Sequence, residues 1–130
     1  MKTHTQEIYE LTCPFDNKYQ GIASRYLFVC SAGLLRSPTA AAVAIKMGYN
    51  ARSCGSHSYA LIPISVNLIH WANKIFFVEE NNYREALDSF FGDKETTDML
   101  KEKSTIWDIE DYYNYNDLGL INKIAELLQK

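Results

Sequence analysis

One stretch constrains this chain more than any other: Tyr26 to Ala44, YLFVCSAGLLRSPTAAAVA. Tyr26 to Cys30 is a short apolar run with aromatic and β-branched members, the pattern of a buried strand. Ser31 to Leu35 begins with small residues, and Gly33 can take positive φ. Arg36 opens a helix, with Pro38 in its first turn and an alanine-rich run behind it. Strand, tight loop and helix N-terminus in that order aim backbone N–H groups and the positive end of a helix dipole at one point. Such a point binds anions.

The residues on the loop give the site its chemistry. Cys30 ends the strand and Arg36 follows six residues later. A thiol at a helix N-terminus near a guanidinium is favoured as the thiolate, a strong nucleophile. Arg36 can hold two phosphate oxygens in its planar fork, which lysine cannot do. Ser37 can donate its hydroxyl hydrogen to the sulfur. The implied reaction is in-line attack of Cys30 on phosphorus. A buried cysteine ending a core strand is ordinary by itself; the preceding strand, Gly33 and the Ser-Pro helix start argue for a site.

VCSAGLLRSPTAA resembles the phosphate loop of the low-molecular-weight protein tyrosine phosphatase family, patterned V-C-x-G-N-x-C-R-S-P. Two departures fall in the loop: Ala32 replaces the first glycine and Gly33 the asparagine. The left-handed backbone of that asparagine is expected to survive at Gly33, without its side-chain hydrogen bonds. Later stretches extend the resemblance over most of the chain from about Tyr26. NARSCG, the second strand, resembles the S-A-G segment that follows the second strand in the family, and ENNYREAL an acidic residue followed by N-L-R-x-L. IEDYY is similar to I-E-D-P-Y-Y without the proline.

The resemblance implies a cysteine-dependent phosphomonoesterase. Cys30 would be the nucleophile, and Ser31, Ala32, Gly33, Leu34, Leu35, Arg36 and Ser37 would bind the phosphate. It gives the general acid to Asp111, with Asp108 as second choice because the missing proline shortens the loop. Among the other acidic residues there, Glu110 is a further candidate and Asp117 fits an N-cap. Tyr112 and Tyr113 would flank a substrate ring, beside Tyr115. Leu34 is a second hydrophobic contact; related phosphoarginine phosphatases carry threonine there, so Leu34 favours an aryl phosphate. The expected substrate is a phosphotyrosine protein or another aryl phosphate, with no cofactor and no metal. Two other readings are a phosphate-binding module that has lost turnover and an arsenate reductase. The latter needs relay cysteines, which Cys13 and Cys54 do not match in position.

Composition excludes several classes. The chain has 130 residues and a net charge of −3, room for one domain with a core and no basic surface for nucleic acid. No apolar run reaches membrane-spanning length, the N-terminus is too polar for a signal peptide, and a cytoplasmic location is expected. The odd cysteine count, Cys13, Cys30 and Cys54, argues against a disulfide scaffold or zinc site.

Strands and helices alternate, which predicts an α/β fold: three layers, α/β/α, with a parallel sheet. The family resemblance adds four strands in the order 2-1-3-4. Residues 1–24 read as an N-terminal extension packed on or near a domain at 25–130. Expected helices cover Ser37–Met47, Pro63–Ala72, Asn82–Phe91, Lys94–Lys103 and 117–129. Expected strands cover Asn50–Gly55, Lys74–Glu79 and Ser104–Ile109. Leu118, Ile121, Ile124 and Leu128 are expected to dock the last helix on the sheet. His57, in a loop, and His70, on a helix, read as solvated and structural.

Overall fold

The computed structural model describes residues 23–33, 35–110 and 112–129. The N-terminal extension as far as residue 22, with Cys13, lies outside the described residues, as do Leu34 and Asp111.

Four strands form one parallel sheet: β1 (Arg25–Cys30), β2 (Asn50–Gly55), β3 (Lys74–Phe77) and β4 (Ser104–Ile106). Their order is β2-β1-β3-β4, as expected. Five helices connect and follow them: α1 (Arg36–Lys46), α2 (Val66–Trp71), α3 (Glu80–Ser89), α4 (Lys94–Lys103) and α5 (Leu118–Leu128). A central strand in a doubly covered sheet buries both its faces, so β1 reads as a continuous apolar run rather than an alternating one. Phe28 and Cys30 face one layer, among Ala40, Ala44, Phe76, Trp107, Leu120 and Ile124. Leu27 and Val29 face the other, among Cys54, Leu68, Ile69, Phe77, Ala86 and Leu100. The alanines of α1 let that helix approach the sheet closely, and Ala40, Ala41 and Ala44 are fully buried. Phe28 stacks on Phe76 with ring centroids 5.2 Å apart, and Trp107 tilts onto both.

Three expectations need correction. Helix α2 begins after Ser65, whose hydroxyl accepts from the Leu68 N–H at 3.2 Å, and not at Pro63. Pro63 instead bridges to Gly55, extending the sheet edge beside the phosphate loop. The strand pairing of β3 and β4 ends at Phe77 and Ile106, although Val78, Trp107 and Ile109 still donate across the sheet. Helix α5 docks through Leu120 and Ile124, both fully buried, while Leu118 is exposed. Leu118 is the first residue of that helix, and the four-residue spacing from Leu120 to Ile124 defines the face that meets α1 and the sheet.

Parallel strands carry their loops at a common end. The C-terminal ends of β1, β2, β3 and β4 therefore bring Cys30, Gly55, Val78 and Trp107 to one edge, where a ligand crevice is expected in such a sheet.

Candidate active site

The loop after β1 is the expected anion nest. Gly33 has φ of 75°, the left-handed conformation expected of it. Among the described residues no side chain caps α1, and no acidic residue stands in its first turn. The first N–H groups of a helix without such a cap are the kind of donors an anion site uses.

In a nest the N–H groups turn inward, so the carbonyls turn outward and need donors. The segment after β2 supplies them. Ser56 N–H donates to Cys30 O at 2.8 Å, His57 N–H to Ser31 O at 3.1 Å and Leu61 N–H to Ala32 O at 3.2 Å. Gly55 permits this approach. A Cβ there would lie 2.8 Å from the Ala32 carbonyl carbon and would also collide with Ser31 O and the Ala60 side chain. Gly55→Ala is expected to cost about 1–3 kcal/mol through overpacking. It should also weaken oxyanion binding, which thermal unfolding and vanadate inhibition check together.

Cys30 is 3% exposed and its Sγ lies 3.0 Å from Ser37 Oγ. The Ser37 hydroxyl also reaches Cys54 O at 3.2 Å, so its single hydrogen serves either the sulfur or that carbonyl. Cys54 is sealed in β2. Burial pushes its thiol well up, and the neighbouring Cys30 sulfur adds to the shift.

Arg36 is 2% exposed, which requires partners for its charge. Its Nη1 pairs with the Glu79 carboxylate and donates to Ile109 O at 2.8 Å. Glu79 follows β3 and Ile109 follows β4. One guanidinium therefore ties the ends of two further strands to the phosphate loop. The sequence signal available for Glu79 was its place as the acidic last residue of the expected strand Lys74–Glu79.

The other expected residues that are described follow the ends of β1 and β4. Ser31, Ala32, Gly33, Leu35, Arg36 and Ser37 form the loop and helix start, with Leu35 exposed. Trp107 and Ile109 are buried, and Asp108 between them is exposed. Glu110 approaches Lys123 at 3.6 Å on the surface. Asp117 caps α5, its carboxylate accepting from Gly119 N–H at 2.9 Å, as expected. Tyr112 and Tyr113 tilt together with centroids 4.3 Å apart. Their hydroxyls are 3.1 Å apart; that hydrogen bond above all, with the neighbouring carboxylates adding, pushes the Tyr112 phenol up to about 12. Thr39 joins this tyrosine loop to the phosphate helix: its hydroxyl donates to Leu35 O at 2.8 Å and accepts from Asn116 N–H at 2.9 Å.

His57 departs from its expected solvated state. Its Nδ1 pairs with the Glu85 carboxylate, and its ring stacks on the exposed Tyr59 at 4.8 Å. Glu85 lies on α3, 28 positions away, a partnership that no local pattern displays.

Comparisons with known proteins agree with this architecture. No family model matches the chain, and no curated protein sequence matches it. Solved structures do. Wzb of Vibrio vulnificus in complex with benzylphosphonate superposes with a TM-score of 0.62 at 15% identity, over 82% of this chain and 97% of that one. The YwlE arginine phosphatase of Geobacillus stearothermophilus gives 0.57 at 20% identity, over 82% and 93%. A protein tyrosine phosphatase of Entamoeba histolytica with Hepes in its active site gives 0.54 at 20% identity, over 82% and 90%. The chain thus has the three-layer α/β/α fold of these proteins, with the same four-stranded sheet order that its sequence implied.

Proposed function

We propose that the protein is a cysteine-dependent phosphomonoesterase of the low-molecular-weight tyrosine phosphatase kind. One observation carries the reading: a buried cysteine within 3.0 Å of the Ser37 hydroxyl, on a loop whose carbonyls are bound outward and which ends at a buried arginine. That combination supplies a nucleophile, an oxyanion cradle and a bidentate clamp at one place.

The reaction divides into two displacements. The Cys30 thiolate attacks phosphorus, an S–P bond forms, and the P–O bond to the leaving group breaks. Asp111 protonates the leaving oxygen. A water then attacks the cysteinyl-phosphate, giving its proton to the Asp111 carboxylate. The S–P bond breaks, releasing inorganic phosphate and restoring the thiolate. Ser37 steadies the sulfur, and the loop N–H groups with Arg36 stabilise the equatorial oxygens. The assignment of the acid to Asp111, with Asp108 as second choice, rests on the similarity of IEDYY to I-E-D-P-Y-Y. The paired rings of exposed Tyr112 and half-buried Tyr113 support an aryl substrate such as phosphotyrosine. Three of the compared structures are of YwlE, an arginine phosphatase, so phosphoarginine is the competing substrate.

An arsenate reductase is disfavoured by Cys54, which is fully buried with its thiol pushed up, and no cysteine follows it.

The test is hydrolysis of an aryl phosphate and of phosphoarginine with a chelator present. Turnover of the aryl phosphate that survives chelation supports the reading. Asp111→Asn is expected to lower kcat by about 10²–10⁴-fold while oxyanion binding persists. Preference for phosphoarginine overturns the substrate assignment. A well-folded protein that binds phosphate and turns over neither substrate is a binding module instead.

A further inference from the structure

Beside the phosphate loop lies a polar chain that this reaction leaves unused. Asn82 sits on α3 and is 3% exposed. Its Nδ2 donates to Ser31 Oγ at 3.1 Å and to Ser56 Oγ at 3.1 Å. Ser56 in turn donates to the Glu85 carboxylate at 2.5 Å, and the second oxygen of that carboxylate holds His57. The chain thus runs Ser31, Asn82, Ser56, Glu85, His57, and its first member belongs to the loop.

The direction of each hydrogen follows from the carboxylate. Ionised Glu85 only accepts, so Ser56 must spend its hydrogen there. Ser56 Oγ can then only accept from Asn82, which fixes the amide with its NH₂ toward the serines. The second amide hydrogen goes to Ser31 Oγ. Ser31 therefore accepts from Asn82 and keeps its own hydrogen for another acceptor. No described group takes that hydrogen, whereas a bound phosphate offers oxygens beside it. The arrangement also holds Ser31 at two points, its carbonyl on His57 N–H and its hydroxyl on Asn82. The neighbouring Gly33 brings no side chain to brace the loop and the greatest backbone freedom to lose.

We infer that Asn82 is a positioning residue for the phosphate site. It acts through Ser31, bracing the loop and leaving the Ser31 hydroxyl to donate to the bound oxyanion. This deepens the phosphatase reading and rests on it.

The experiment is a double-substitution cycle on the full chain. Steady-state hydrolysis of an aryl phosphate, vanadate inhibition and thermal unfolding are measured for wild type, Ser31→Ala, Asn82→Ala and the pair. Arg84→Ala, an exposed change on the same helix, is the control. Each single change is expected to lower kcat/KM about 10-fold and to weaken vanadate inhibition by a similar factor, because a removed charge-assisted hydrogen bond has that size. The double variant should be no worse than the poorer single one, since both changes break one link. Wild-type rates and vanadate affinity in Ser31→Ala overturn the inference. So do losses that multiply in the double variant, or an Asn82→Ala variant that melts earlier yet keeps vanadate affinity. If Asn82→Ala does not fold, Ser31→Ala decides alone. Wild type that neither turns over nor binds vanadate sinks the phosphatase reading itself. Active wild type with an unaffected Ser31→Ala sinks only the role of Asn82.

Discussion

Cys30→Ser is expected to lower aryl phosphate hydrolysis by at least about 10³-fold while leaving the fold and phosphate binding intact. A serine hydroxyl fills the same buried space, so the packing among Ala40, Phe76 and Val78 is barely disturbed. It remains protonated at neutral pH, however, and nothing described beside it is a base: its neighbour is the Ser37 hydroxyl. The outward carbonyl bonds that shape the nest do not involve the side chain, so the anion site persists. Steady-state rates with phosphate inhibition measured on the same sample check both halves. Substantial turnover in this variant would place the nucleophile elsewhere.

Arg36→Lys is expected to lower kcat/KM by at least about 10²-fold and to weaken vanadate inhibition, although it keeps the charge. Arginine here does several things at once. Its guanidinium meets the Glu79 carboxylate and the Ile109 carbonyl, and its planar fork is fixed by them before substrate arrives. Preorganisation of this kind is what stabilises a transition state without further rearrangement. A lysine presents one compact ammonium at the end of a flexible stem. Facing Glu79, it would settle on that carboxylate and leave the phosphate oxygens and Ile109 O without their donor. A Lys variant within a few-fold of wild type would mean that Arg36 is only a structural tie between strand ends.

The parts of the fold that were legible in sequence have local causes. The boundaries of β2 and α4 match because an asparagine, a glycine and a lysine-bounded charged run mark them. The sheet order came with the phosphate-loop resemblance, since periodicity alone does not order strands. The strand, glycine turn and helix start of the candidate site were legible because they are contiguous in the chain. What escaped reading is non-local. Glu85 holding His57, Asn82 holding Ser31 and Glu79 holding Arg36 each join α3, or the residue before it, to segments far away in the chain. These partnerships exist only once parallel strands have carried their loops to one edge. The start of α2 was misplaced because Pro63 resembles a first helical residue, while the better signal was Ser65 as N-cap. Leu118 was misassigned because apolar residues at 118, 120, 121 and 124 permit overlapping faces, and only packing against α1 selects Leu120.

Covalent catalysis at Cys30 leaves a phosphoenzyme that can be trapped within a single turnover. Wild-type protein is mixed with an aryl phosphate bearing a good leaving group, quenched in acid within a turnover and mapped by mass spectrometry. A phosphoryl group is expected on Cys30, absent from Cys30→Ser, with no need for added metal. Steady release of phosphate with no cysteinyl-phosphate at Cys30, and equal release by Cys30→Ser, would contradict it.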